Sequence, residues 1–143
     1  MPFRFFALFL LTALVAVACD DATEKNRTAL IGHWELTKAL RNQRETGLLA
    51  NIFFDFEPDG KMLTNLPIAP EPSTTDYEVA NDEIVQQLPQ PLHYRIQTLN
   101  DSVLVLGLEM RSIPFELQLR RAEKAVPVEG EDGEMEQDSL TGQ

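Results

Sequence analysis

Cysteine and histidine are nearly missing from this chain of 143 residues, which has one cysteine and two histidines. A single cysteine cannot form a disulfide within the chain. The histidines, His33 and His93, both fall on the polar side of an alternating pattern, without cysteine or carboxylate partners at the spacing of a metal site. We therefore expect both to be surface residues, and we expect neither a metal nor any other cofactor.

Basic residues are also scarce. Lys and Arg number 12 against 23 Asp and Glu, so the net charge is -11. Such a chain repels nucleic acids, which are polyanions. The sequence has no glycine-rich phosphate loop, no Gly-x-Ser-x-Gly motif and no other recognisable arrangement of acid, base and nucleophile. We expect a protein that is not an enzyme and binds no nucleic acid.

Long apolar runs are missing too, because the longest extends only from Phe5 to Ala18, with Thr12 as its one polar residue. Crossing a bilayer as a helix takes roughly 20 residues. A short apolar run after a basic start, ending in the small residues Ala16-Val17-Ala18, is typical of a cleaved signal peptide. The lone cysteine, Cys19, stands directly after it.

The segment Ala16-Val17-Ala18-Cys19 resembles the lipobox of bacterial lipoproteins. This resemblance implies that residues 1–18 are the signal peptide and that a diacylglyceryl group is attached to the thiol of Cys19. Two or more acyl chains anchor a protein stably, since each buried methylene contributes about 0.8 kcal/mol. The implied location is the bacterial cell envelope, with the protein anchored to a membrane and facing the periplasm or the cell surface. The alternative is an ordinary cleaved signal in which Cys19 has no role.

Apolar and polar residues alternate with period 2 through most of residues 31–122. The clearest case places Ile113, Phe115, Leu117 and Leu119 on one face and Glu116, Gln118 and Arg120 on the other. In a first strand, Trp34, Leu36 and Leu40 are expected to face inward, opposite Glu35, Thr37 and Ala39. Turn signals at 57–60, 81–82 and 100–101 separate further short runs of this kind. Eight strands at a spacing of roughly ten residues predict an all-β, antiparallel, up-and-down barrel.

The barrel is flanked by two segments of different composition. Residues 19–30 are predicted to be a lipidated tether with a short helix from Ala22 to Leu30. Residues 123–143 carry seven acidic residues and one base without any aromatic residue, which predicts a disordered acidic tail. The alternative for the tail is an acidic arm that captures a cation or a basic partner.

Gly32-His33-Trp34, at the head of the first strand, resembles the Gly-x-Trp signature of lipocalins. Arg120 or Arg121, at the end of the last strand, resembles the arginine that packs across that tryptophan. The resemblance implies a small lipocalin-like barrel whose base is closed by the pair Trp34 and Arg120, with the guanidinium covering the indole.

Two interpretations of the barrel interior remain open. The bulky inward residues can fill it completely, or they can leave a small apolar pocket lined by six aromatic side chains: Trp34, Phe54, Phe56, Tyr77, Tyr94 and Phe115. A pocket predicts a non-catalytic binding module for a small apolar ligand, with its open mouth near the loop from Pro67 to Thr75. A solid core predicts a scaffold that binds an envelope protein partner through outward residues, namely Phe53, Val85 and Val103.

Overall fold

A computed structural model describes residues 20–124 of the chain and has one helix and a single antiparallel sheet. The expected signal peptide (1–18) and the lipid-attachment residue Cys19 lie outside the described residues. The expected acidic tail does too, except for Glu123 and Lys124. Within the described part of the chain, no helix is long and apolar enough to span a bilayer.

The helix and strands follow one another along the chain in this order: α1 (Asp20–Leu30), β1 (Gly32–Arg41), β2 (Arg44–Glu45), β3 (Phe53–Phe56), β4 (Lys61–Thr64), β5 (Ser73–Ala80), β6 (Glu83–Gln86), β7 (Leu92–Leu99), β8 (Val103–Met110) and β9 (Ile113–Ala122). From β3 to β9 each strand pairs with the next one. The sheet closes because β1 pairs with both β3 and β9, while the two-residue β2 only extends the tip of β1. The predicted eight-stranded up-and-down barrel is thereby confirmed, and closure leaves the eight strands without a free edge.

The first strand departs from simple alternation. Ala39 is buried at 3 % exposure, whereas Leu40, predicted to face inward, lies half-buried on the outer side. The pairing of β1 with β9 shifts register between Leu36 and Lys38, which marks a β-bulge at Thr37. A bulge inserts one unpaired residue and reverses the facing of those that follow. The prediction for Leu40 was therefore wrong.

The barrel has two different ends. The base carries α1 together with the turns 57–60, 81–82 and 100–102, and it includes the start of β1 and the end of β9. The opposite end, which we call the rim, carries the turns 42–43 and 111–112 and the longer loops 46–52, 65–72 and 87–91. Ligand sites of barrels lie preferentially in the mouth, so a ligand site is expected at the rim.

Candidate functional site

The base of the barrel is closed by Trp34 and Arg121. The indole is fully buried, and its Nε1 donates a hydrogen bond to the carbonyl of Leu30 at 2.8 Å. The guanidinium carbon of Arg121 lies 4.2 Å from the centre of the indole ring, which is cation-π geometry. Arg121 also donates to the carbonyl oxygens of Ala29 (2.7 Å), Ile31 (2.7 Å) and Asp101 (2.8 Å). One side chain thus joins the helix, the start of β1 and the β7–β8 turn.

The arginine in this closing pair is therefore Arg121, and the prediction of Arg120 was wrong. Trp34 lies directly opposite Arg121 in the β1–β9 pairing, so the two side chains project to the same side of the sheet. Arg120 has the opposite parity and points outward, where it pairs with Glu35 at 3.1 Å.

Helix α1 is packed against the base and is not a loose tether. The Nδ2 of Asn26 donates to the carbonyl of Asn81 at 2.7 Å, and the backbone amide of Asn81 donates to the hydroxyl of Thr23 at 3.0 Å. Leu30 at the end of the helix is fully buried in the core. The predicted short helix is confirmed, and it begins two residues earlier than predicted, at Asp20.

The aromatic residues proposed to line an internal pocket instead pack against one another. The rings of Phe54 and Phe56 are stacked with centroids 6.0 Å apart. Tyr94 meets Phe54 edge-on at 5.6 Å, and Tyr77 meets Phe56 edge-on at 5.2 Å. All four are at least nine-tenths buried, as is Trp34. These five rings therefore belong to the hydrophobic core, and Phe115, the sixth candidate, is partly exposed and packs against that core.

A buried polar chain crosses the interior near the rim. The hydroxyl of Tyr94 donates to Oε1 of Gln86 at 2.7 Å, and Nε2 of Gln86 donates to the hydroxyl of Thr75 at 3.0 Å. Burial raises the pKa of Tyr94 well above its ordinary value, because a phenolate there would lose its hydration. Within residues 20–124, every fully buried side-chain nitrogen or oxygen has a hydrogen-bond partner. The hydrogen-bonded network of Tyr94, Gln86 and Thr75 therefore has a structural role.

A groove of about 850 Å³ opens at the rim between the loops 65–72 and 87–91 and the β8–β9 turn. Four prolines belong to its lining, together with apolar and a few polar side chains: Pro67, Ile68, Ala69, Pro70, Leu88, Pro89, Gln90, Pro91, Leu92, Glu109, Met110 and Arg111. Three of these residues, Ile68, Leu92 and Met110, also pack on the hydrophobic core. We call this feature the rim groove. One of its walls belongs to the loop from Pro67 to Thr75, near which the sequence predicted the open mouth of the barrel.

A second polar cluster lies on the outer face of β1 and β3. Nδ1 of His33 is 2.5 Å from Oδ1 of Asp55, and Nζ of Lys124 is 3.5 Å from Oδ2 of the same carboxylate. The side chain of His33 is only 14 % exposed and that of Asp55 only 7 %. The prediction of His33 as a plain surface residue was wrong, because Asp55 lies directly across from it in the β1–β3 register.

The other residues predicted to lie on the surface are His93 and the three outward residues Phe53, Val85 and Val103, of which two share one row of the outer face. His93 is exposed and pairs with Glu83 at 2.9 Å. On the outer face, the register aligns Phe53, Glu35, Arg120 and Val103 in one row across four strands. Val85 lies on β6, outside that row, so Phe53 and Val103 share a face and Val85 does not join them.

Comparison with known protein families, curated proteins and solved structures gave no match. The candidate site therefore rests on its own geometry. Among residues 20–124, no cluster of three or more His, Cys, Asp or Glu side chains is arranged as metal ligands. The rim groove combines proline-containing walls, apolar side chains that rest on the core and a few polar side chains, as ligand sites do.

Proposed function

We propose that the chain is a bacterial envelope lipoprotein, anchored through acylated Cys19, whose barrel is a non-catalytic binding module for a small apolar ligand. The binding site is the rim groove. One observation carries this proposal: the groove has an apolar floor formed by side chains that rest on the core, at the end of the barrel opposite the helix. Its volume of about 850 Å³ lies within the range of roughly 300–1,000 Å³ that small-molecule sites occupy.

The proline-rich walls also favour binding. Pro67 and Pro70 stand in one loop, and Pro89 and Pro91 in the other. Proline fixes φ and so reduces the conformational freedom of a loop before any ligand arrives. A site with pre-ordered walls loses less entropy on binding, which increases affinity for a given contact area.

The binding function is tested by displacement of a fluorescent fatty-acid analogue from residues 19–143 carrying Cys19→Ser. Ile68→Asp places a carboxylate in the groove and is expected to weaken binding at least tenfold, because an apolar contact is replaced by a charge that must stay hydrated. Val103→Asp is the matched control, since Val103 is an exposed aliphatic residue outside the groove. Binding that is equally strong in both variants, or no binding at millimolar ligand, would refute the proposed site.

The anchor is tested separately in the full chain. We expect the cells to incorporate labelled palmitate into the protein and the protein to partition into detergent, and Cys19→Ser is expected to abolish both. Ser102→Ala, a hydroxyl change in an exposed turn, is the control for general damage. Labelling that persists in Cys19→Ser would refute attachment at this thiol.

A second candidate is a scaffold that binds an envelope protein, and the row from Phe53 to Val103 favours it. Val103 is 39 % exposed although it is a large aliphatic residue. A photo-crosslinking amino acid at position 103 is expected to capture one reproducible partner from envelopes, whereas the same group at position 85, outside the row, is not. Equal capture at both positions, or none at 103, would count against the scaffold.

A further inference from the structure

The rim groove is apolar but has one cationic side chain in its lining, that of Arg111. Within residues 20–124, Arg111 forms no ion pair and no side-chain hydrogen bond. Arg95, Arg120 and Arg121, by contrast, bind Asp82, Glu35 and backbone carbonyls, respectively. A guanidinium beside an apolar surface is thus free to bind an anion that enters the groove.

The backbone conformation at Arg111 is also unusual for an arginine. Arg111 and Ser112 form the two-residue β8–β9 turn with φ values of 51° and 63°. Such turns favour Asn-Gly, because residues with a Cβ rarely adopt positive φ. An arginine there works against the preference of the turn, and departures of this kind cluster at ligand-contacting positions.

The charge of the chain makes a local cation necessary for an anionic ligand. With a net charge of -11, the protein as a whole repels anions. Glu109 also lines the groove, so an anionic group is favoured only within reach of Arg111. A guanidinium can hold a carboxylate or a phosphate through two parallel hydrogen bonds.

We propose that the rim groove binds a single-chain amphiphile, with the hydrocarbon chain on Ile68, Leu92 and Met110 and the anionic head on Arg111. This inference rests on the proposed function and adds the chemical class of the ligand. Methionine adapts its shape to a flexible chain, and the neighbouring aliphatic side chains offer a dry floor. The head can be a carboxylate or a phosphate, since both fit the same guanidinium.

The test uses isothermal titration calorimetry on residues 19–143 with Cys19→Ser. Dodecanoate, dodecyl phosphate and dodecanol share one hydrocarbon chain and differ in the head. We expect at least one anionic ligand to bind about tenfold more tightly than dodecanol, as charge-assisted hydrogen bonds warrant. Comparison of the two anions shows which head is preferred. Arg111→Gln is expected to remove this advantage and to leave dodecanol binding unchanged.

Arg44→Gln is the matched control, because Arg44 is an exposed arginine at the neighbouring hairpin tip and does not line the groove. It is expected to leave every affinity unchanged, and circular dichroism checks that both variants are folded. Dodecanol binding as tightly as both anions, or an anion advantage that survives Arg111→Gln, would overturn this inference and leave the proposed function standing. Absence of binding by all three would overturn both.

Discussion

Removal of the Arg121 guanidinium is expected to be one of the most damaging changes available on the barrel surface. Arg121→Met keeps most of the aliphatic stem while it removes three hydrogen bonds to backbone carbonyls and the cation-π contact with Trp34. A hydrogen bond from a charged donor contributes about 1.5–3 kcal/mol, and a cation-π contact about 0.5–2 kcal/mol. These contributions are not additive, and water replaces some of the lost bonds at a half-exposed site.

We therefore expect Arg121→Met to lower the free energy of unfolding by about 3 kcal/mol, a large part of the roughly 5–15 kcal/mol typical of a domain. Arg120→Met is the matched control in the adjacent position. Arg120 forms one ion pair with Glu35, and both side chains are well exposed, at 66 % and 41 %. Exposed pairs contribute about 0–1 kcal/mol, so this variant is expected to be nearly as stable as the parent.

The assay is urea unfolding of residues 19–143 with Cys19→Ser, followed by the fluorescence of Trp34, which is the one tryptophan of the chain and is fully buried. Arg121→Lys retains the charge but not the planar fork and is expected to fall between the parent and Arg121→Met. Equal unfolding free energies for Arg121→Met and Arg120→Met, within about 0.5 kcal/mol, would refute the assignment of the closing arginine.

Three further predictions concern the interior and the rim. Tyr94→Phe leaves Oε1 of Gln86 without its buried donor and is expected to cost about 1–3 kcal/mol by urea unfolding, whereas Tyr77→Phe, whose hydroxyl has a longer bond of 3.3 Å, is expected to cost less. If the two variants lose the same unfolding free energy, the hydrogen-bonded network of Tyr94, Gln86 and Thr75 has no special role in stability. Burial raises the folded-state pKa of Tyr94 above its ordinary 10.0, so above pH 10 the phenol ionises more readily in the unfolded chain than in the folded one. The free energy of unfolding is therefore expected to keep the full contribution of Tyr94 below pH 10 and to fall by up to about 1.4 kcal/mol per pH unit above it, more steeply in the parent than in Tyr94→Phe. Equal slopes would contradict this. Ser112→Gly relieves a φ of 63° and is expected to raise the melting temperature, whereas Ser102→Gly, at a turn residue without positive φ, is expected to lower it. The reverse order would be incompatible with strain at Ser112.

Most of the fold could be predicted because strands with one face in a core must alternate, and this sequence alternates clearly. Prediction failed where alternation alone was not enough. The bulge at Thr37 leaves no mark in composition, so Leu40 was placed on the wrong face. Arg121 lies on the same face of β9 as the buried Leu117 and Leu119, because alternate residues of a strand face the same side. Strict alternation therefore favours Arg121 over Arg120 as the inward arginine.

The outer-face cluster of His33 and Asp55 and the rim groove were harder to predict, because the residues that form each of them are distant in the chain. His33 and Asp55 become partners only once the β1–β3 register is fixed, and nothing in the two local sequences sets that register. The rim groove joins two proline-rich loops to the β8–β9 turn, of which the sequence identified only the loop near Pro67. Whether the aromatic residues enclose a pocket depended on the diameter of the barrel, which period-2 patterns do not determine.

The docked helix restricts how the protein can be oriented at a membrane. It begins at Asp20, one residue after the proposed anchor, and its hydrogen bonds to Asn81 hold it against the base. An 11-residue helix is about 16 Å long. Because this helix is held against the base, acyl chains on Cys19 would keep the barrel close to the bilayer and not at the end of a long linker. The base would then face the lipid and the rim would point away from it. A molecule bound in the groove would exchange with the space opposite the anchoring membrane and not with its headgroups.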